Sequence, residues 1–373
     1  MSLLFILGIF LFIGLVIVHE LGHFWAARKS GVEVEEFGIG FPPKAKTIGY
    51  KNGTEYTLNW LPLGGFVRLK GEHDSAKGEG TFGSAKLTDK IKIMLAGVVM
   101  NLITAIAILT VLSWIGMPQL IENQFKIASD NKIVRQDVLI AYVEPESPAD
   151  KAGLKLRDQI VSMGLPDLSQ TTIQNQEQLP EVTKQYSGKA IILQYRRPGV
   201  KDLQQSTITL RSQAEVDKNE GKIGYLGIAP NEYILTRSTW SAPITAVGTI
   251  GQFTKLTFEG LGKAVSGLFS GNAAQASEQV AGPVGIFVLI SDGSNLGAEF
   301  IMMIIAIISL TLAIMNVLPI PALDGGRLFV TLLFKIVKKP LKRRTEDRIH
   351  GTGFAFLMLL FVLITFVDIQ RTW

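Results

Sequence analysis

His19, Glu20 and His23 stand in the pentapeptide His19-Glu20-Leu21-Gly22-His23, directly after sixteen uncharged residues running from Leu3 to Val18. Histidines at i and i+4 of a helix share one face, one turn apart, close enough to bind one metal ion. Glu20 projects about 100° round from His19, where its carboxylate can take a proton from a water that the metal has activated. Ionisable side chains at membrane depth are costly and usually functional. Three of them within five residues are not explained by packing. Type and spacing together imply a zinc-dependent hydrolase whose chemistry takes place inside a bilayer.

Catalytic zinc usually takes three protein ligands and keeps a fourth position open. The chain has no cysteine and only four histidines, so thiolate sites and disulfides are excluded. The candidate for the third ligand is Asp324, in Asn316-Val317-Leu318-Pro319-Ile320-Pro321-Ala322-Leu323-Asp324-Gly325-Gly326. Two prolines two residues apart cannot continue a regular helix, because each removes a donor and clashes with the preceding turn. Broken backbone at membrane depth is tolerated where protein buries it or where it lines a wet cavity. An intramembrane aspartate can also be a structural partner or a proton relay. Asn316 has two readings, a contact to the substrate backbone or oxyanion and a cap for freed carbonyls. Asn101 reads as an interhelical hydrogen bond ahead of a catalytic group, and His73 and His350 as solvated loop or helix-end residues.

These residues need elements to hold them. The chain of 373 residues is 47% hydrophobic and 18% charged, with a mean hydropathy of +0.29. That is too apolar for an ordinary soluble enzyme and fits a membrane protein carrying one soluble domain. Four segments are long enough to cross about 30 Å of hydrocarbon: Leu3 to Ala27, Ile93 to Ile115, Phe300 to Leu323 and Gly351 to Val367. The first could pass for a signal peptide, but its basic n-region is missing and cleavage would discard the metal motif.

Ten Lys/Arg lie between Arg28 and Lys90 and seven between Lys335 and Arg348, whereas none precedes the first helix and only Arg371 follows the fourth. The positive-inside rule makes those two stretches cytoplasmic and both termini extracytoplasmic. His19, His23 and Asp324 then all lie toward the cytoplasmic ends of their helices, an agreement the charge rule did not require. The outer segment carries β-rich runs such as Val138 to Val143 and Ala190 to Tyr195. Ala242 to Ser270 is Gly-rich, apolar and amphipathic, suited to lying on a membrane surface or packing over the core. The net charge of +5 comes without a basic tract interleaved with aromatics, so no nucleic-acid partner is expected.

With His19-Glu20-Leu21-Gly22-His23 and Asn316 to Gly326 both present, the chain resembles the site-2 protease family, more closely its bacterial regulator-cleaving branch with one PDZ domain. The resemblance implies zinc on His19, His23 and Asp324, Glu20 as general base, and Asn316 as the second catalytic candidate. It also implies that Glu36 to Phe41 and Leu61 to Arg68 form a membrane-dipping β-hairpin presenting an extended substrate strand. Gly282-Pro283-Val284-Gly285-Ile286 matches a further family element whose chemistry the sequence does not reveal. The PDZ resemblance rests on Val143 to Leu154, Asp158-Gln159-Ile160 and Gly224 to Ile228, with Arg157 standing where the pattern expects glycine.

The expected fold is therefore a mainly α-helical polytopic membrane protein of about four transmembrane helices, with an inserted extracytoplasmic, β-rich, PDZ-like domain. Its parts are an N-terminal membrane core (1–117), the PDZ-like domain (118–236), an amphipathic membrane-associated linker (237–298) and a C-terminal membrane core (299–373). The expected activity is hydrolysis of peptide bonds within transmembrane segments of single-span membrane proteins, either anti-sigma-factor-like regulators or signal-peptide remnants. Expected partners are those substrates, membrane lipid and a peptide ligand of the PDZ groove, in a bacterial inner membrane. The rivals are a different membrane peptidase with His-Glu-x-x-His and a glutamate third ligand, and an inactive relative that scaffolds through its PDZ domain.

Overall fold

The computed structural model describes residues 3–166, 170–219, 223–271 and 281–372, apart from the side chains of Pro62, Leu63, Leu268 and Thr372. Residues 167–169, and 272–280 of the amphipathic linker, therefore lie outside it. Helix occupies 50% of the described residues. Two compact units are present, Met1–Val111 with Pro243–Trp373, and Leu112–Ala242.

In the first unit α1 spans Leu3–Lys29 and ends with Arg28 and Lys29 in its last turn, where cations complement the helix dipole. A long antiparallel hairpin follows, β1 (Val34–Lys51) and β2 (Thr54–Leu69). Its turn is Asn52-Gly53, both at positive φ, the conformation that closes a two-residue hairpin. Glu36 to Ile39 pair along one edge with Gly65 to Arg68 and along the other with Glu55 to Leu58. Then come α2 (Leu87–Ile115), and after the second unit α6 (Ala242–Phe269), α7 (Pro283–Gly293), α8 (Ala298–Val317), α9 (Asp324–Ile336) and α10 (Arg343–Thr372).

Among the described residues four helices are long and apolar enough to cross a membrane: α1, α2, α8 and α10. Phe10, Phe354, Phe356, Leu359 and Phe366 remain exposed on them, as lipid-facing side chains do. Inside, Phe5, Leu15, Ile290, Ile301, Ile304 and Ile305 form one packed cluster between α1, α7 and α8. In lipid such contacts act through close packing and interhelical hydrogen bonds rather than by escape from water. One such bond runs from Ser309 Oγ on α8 to the Asn101 carbonyl on α2 (2.8 Å). The Gly282 to Ile286 element opens α7, and its Gly285 N–H donates to buried Asp368 Oδ2 on α10 (2.8 Å). That carboxylate satisfies an N-terminal amide that the helix itself cannot.

The second unit is a seven-stranded sheet in the order β3-β9-β4-β5-β7-β8, with β6 paired to β5. The strands are β3 (Met117–Pro118), β4 (Lys132–Val143), β5 (Gln159–Gly164), β6 (Thr171–Thr172), β7 (Ala190–Arg196), β8 (Gln204–Thr209) and β9 (Ile228–Arg237). Short helices α3 (Pro148–Lys151), α4 (Gln178–Gln185) and α5 (Gln213–Lys218) complete it. Its core includes Val138, Ile140, Ile160, Met163, Ile191 and Leu193; full burial of each such side chain contributes about 1.5–3 kcal/mol. Fully buried Asp158 takes two hydrogen bonds from Arg197 (2.6 and 2.9 Å), the bidentate geometry that offsets desolvation. Ser147 caps α3 through the Asp150 N–H. Arg157 sits at φ +70°, so it adopts the left-handed conformation that glycine would hold there.

Candidate metal centre

The apolar run of α1 carries His19 and His23 into the interior, with ring centroids 4.8 Å apart and planes at 75°. Their Nε2 atoms are 3.1 Å apart. Asp324 Oδ2 stands 3.0 Å from His19 Nε2 and 3.2 Å from His23 Nε2. The three atoms thus form a nearly equilateral triangle around one point. Ligands at about 2.0–2.1 Å in a zinc tetrahedron are separated by about 3.3 Å, so the donor set fits that ion in both size and chemistry. Among the described residues this is the group of three or more histidines, cysteines or carboxylates able to hold a metal.

The sequence spacing had Asp324 on the third apolar helix. Instead α8 stops at Val317, and Asp324 opens α9 as its first residue. Residues 318–323 form the break that Pro319 and Pro321 require. A carboxylate at a helix N-terminus faces the positive end of the macrodipole. The turn is tight: a Cβ on Gly326 would lie 1.9 Å from the Ile320 carbonyl oxygen, and one on Gly325 2.2 Å from that of Val317. Only a residue without a side chain lets α9 begin this close to the loop.

The same loop recruits a residue read from sequence as solvated. His350 on α10 is half-buried, and its Nδ1 accepts the Ala322 N–H (3.2 Å). Ala322 is held at φ +80°, an uncommon conformation for a residue with a side chain. His73 is not a free loop residue either; its Nδ1 lies 3.6 Å from Asp347 Oδ1. Beside it, Arg327 Nη1 donates to Glu72 Oε1 (2.9 Å), Nη2 donates to the Glu72 carbonyl, and the guanidinium covers the Phe82 ring. These contacts tie α9 to the segment after β2. No pattern of types at fixed spacing marks Arg327 or Glu72, so sequence reasoning passed them over.

Glu20 follows His19 on α1 and turns toward β2. The Val67 backbone N–H faces its carboxylate, and its Cγ is 3.3 Å from the Cβ position of Gly65. The strand at Gly65 to Arg68 therefore runs past the acid that flanks the donor triangle. Asn316 is the next-to-last residue of α8, and its Nδ2 donates to the Leu312 carbonyl (3.0 Å). This is a back-bond to the preceding helical turn.

Charge is managed differently in the second unit. Desolvation opposes ionisation of Asp130, yet the hydroxyls and N–H groups of Thr239 and Ser241 all donate to it and hold its carboxyl well below the usual range. On the hairpin, hydrogen bonds from Lys44, Thr47 and Tyr50 lower Glu55 to about 2.

The chain matches peptidase family M50 over residues 7–360. It is 32% identical to all3971 of Nostoc sp., which is named as a zinc metalloprotease, across 96% of this chain and 93% of that one. It is 28% identical to the regulator of sigma-W protease RasP of Bacillus subtilis, with 97% of each chain covered. The regulator of sigma-E protease RseP of Escherichia coli is 27% identical, with 96% of each covered. With these matches spanning the donor triangle, Glu20 and the four apolar helices, the chain belongs to peptidase family M50, the site-2 proteases, and is an intramembrane zinc metalloprotease.

Proposed function

We propose that the protein cleaves peptide bonds within the transmembrane segments of single-span membrane proteins, with His19, His23 and Asp324 as zinc ligands and Glu20 as general base. The observation that carries this is the triangle of donors 3.0–3.2 Å on a side with Glu20 one residue from His19. Bound there, zinc lowers the pKa of a water toward neutrality and polarises a carbonyl. Glu20 takes the proton of the attacking water and returns it to the departing amine. Asn316 serves as the second catalytic candidate by turning its amide from Leu312 to the substrate backbone.

A substrate helix must unwind before a carbonyl is exposed to attack. The segment Gly65 to Arg68, running past Glu20, offers backbone groups to which an unwound substrate can add as a strand. Ile48, Tyr50, Trp60 and Leu61 are exposed on the hairpin, which suits a loop that dips into lipid. The names of the Bacillus and Escherichia relatives support regulators of sigma factors as one substrate class, with signal-peptide remnants as another.

The protein works in a bacterial inner membrane with both termini outside, and membrane lipid surrounds its apolar helices. The chain divides functionally into membrane cores at 1–117 and 299–373, a PDZ-like domain at 118–236 and a membrane-associated linker at 237–298. The PDZ-like domain admits substrates whose outer domain an earlier protease has removed, and its groove binds a peptide end.

The test is cleavage of a tagged single-span substrate by purified protein in detergent. Cleavage abolished both by a chelator and by Glu20→Gln supports the reading. Cleavage that survives Glu20→Gln with zinc still bound overturns it.

A further inference from the structure

Both imidazoles turn their outer nitrogen toward the same helix. His23 Nδ1 lies 2.7 Å from the Ile93 carbonyl oxygen, and a carbonyl can only accept. His23 therefore carries its proton on Nδ1 and leaves a lone pair on Nε2. His19 Nδ1 lies 3.3 Å from the Asn101 side-chain amide. Ile93, Gly97 and Asn101 are spaced i, i+4 and i+8, so they form one stripe on α2. Between the two polar positions, a Cβ on Gly97 would stand 2.5 Å from His23 Nε2 and 2.6 Å from His19 Nε2.

Asn101 is fully buried, and with its Nδ2 on His19 its Oδ1 is left without a partner among the described residues. The two ends of an amide occupy nearly the same heavy-atom positions, and the bonding network decides between them. Turned the other way, Oδ1 accepts the His19 Nδ1 proton, and His19 Nε2 becomes a lone pair like that of His23. Ligating histidines are generally fixed by such an acceptor on the remote nitrogen.

We infer that Asn101 is a positioning residue for zinc: its amide oxygen selects the His19 tautomer that binds metal, as the Ile93 carbonyl does for His23. The inference rests on the ligand set proposed above. α2 thus supplies the acceptors for both histidines, and Gly97 keeps the space between them free for the ion.

The test measures zinc affinity of the full-length protein in detergent by chelator competition, together with the unfolding midpoint of the metal-free protein. Asn101→Leu is expected to weaken zinc binding by about 10–100-fold with the metal-free midpoint unchanged, whereas Asn101→Asp, which keeps an acceptor, stays within a few-fold of wild type. Wild-type affinity in Asn101→Leu overturns the inference. So does equal loss of affinity and of metal-free stability in both variants, which marks a packing role. Should Asn101→Leu fail to fold, tenfold or greater loss of zinc from folded Asn101→Asp is by itself enough to overturn it. Asp324→Ala is run alongside: if it retains wild-type affinity the ligand set itself fails, whereas zinc lost from Asp324→Ala but kept by Asn101→Leu removes only the role of Asn101.

Discussion

Glu20 and Asp324 are both carboxylates beside the same two histidines, and their surroundings divide the labour between them. Asp324 Oδ2 points into the donor triangle, whereas Glu20 is turned toward Val67 and Gly65. Glu20→Gln is therefore expected to lose about 10²–10⁴-fold in turnover, the usual contribution of a positioned acid–base group, while the purified protein keeps its zinc. Asp324→Ala should lose both. Cleavage assays and metal analysis on the same samples separate the two outcomes, and equal zinc loss in both variants would contradict the division. Gly97→Ala makes a third point on this series: its methyl would fall 2.5–2.6 Å from both Nε2 atoms, so zinc occupancy should drop although no ligand is changed. The histidine–glutamate motif was legible because its chemistry is encoded in residue type and helical spacing alone. Gly97, His350 and Arg327 were not, because what they do depends on which helix packs opposite.

The break between α8 and α9 shows how local sequence and packing share the work. Pro319 and Pro321 end the helix wherever the chain goes next, so the interruption was readable. Its exit was not. That α9 begins at Asp324, and that Ala322 is held at φ +80° beneath His350, depends on α10 lying against the loop. Gly326→Ala should therefore displace the start of α9, with zinc binding and cleavage each falling by tenfold or more, because the new Cβ meets a backbone oxygen at 1.9 Å. Gly351→Ala in α10 has open space around it and is the matched control, expected to leave both unchanged. The hairpin tells a similar story: Asn52-Gly53 is a strong local turn signal, but the double pairing of Glu36 to Ile39 is a tertiary outcome.

The clamp at Asp130 joins the turn before β4 to the residues after β9, and its strength depends on charge. Because folding lowers this carboxyl's pKa, its stabilisation is fully present above the unfolded value near 3.9 and fades as pH falls below it. Asp130→Ala should lower the melting temperature of the full chain at pH 7, and the gap to wild type should close as pH drops from about 4. A gap independent of pH would mean that the clamp acts by packing alone.

Inserting a β-rich unit between two apolar helices requires its entrance and exit to be close, and here they are. Met117 and Pro118 pair with Thr236 and Leu235, and the Ser238 N–H donates to the Ser113 carbonyl (2.7 Å). The alternation of strands and turns made a β-rich insertion readable from sequence, but pairing between β3 and β9 spans more than a hundred residues and leaves no local trace. Adjacent ends make the unit removable, since insertions whose termini meet can be excised without straining their host. Replacing residues 118–235 by a short Gly/Ser linker should leave the apolar helices folded and zinc bound. If the unit filters by size, the shortened protein will cleave a single-span substrate that still carries a large outer domain, which the full chain spares. Substrates already trimmed should be cut at similar rates by both. Unchanged discrimination after excision would refute the filter and favour a role for the unit in binding a peptide end, and loss of zinc would show instead that the membrane part depends on the insertion to fold.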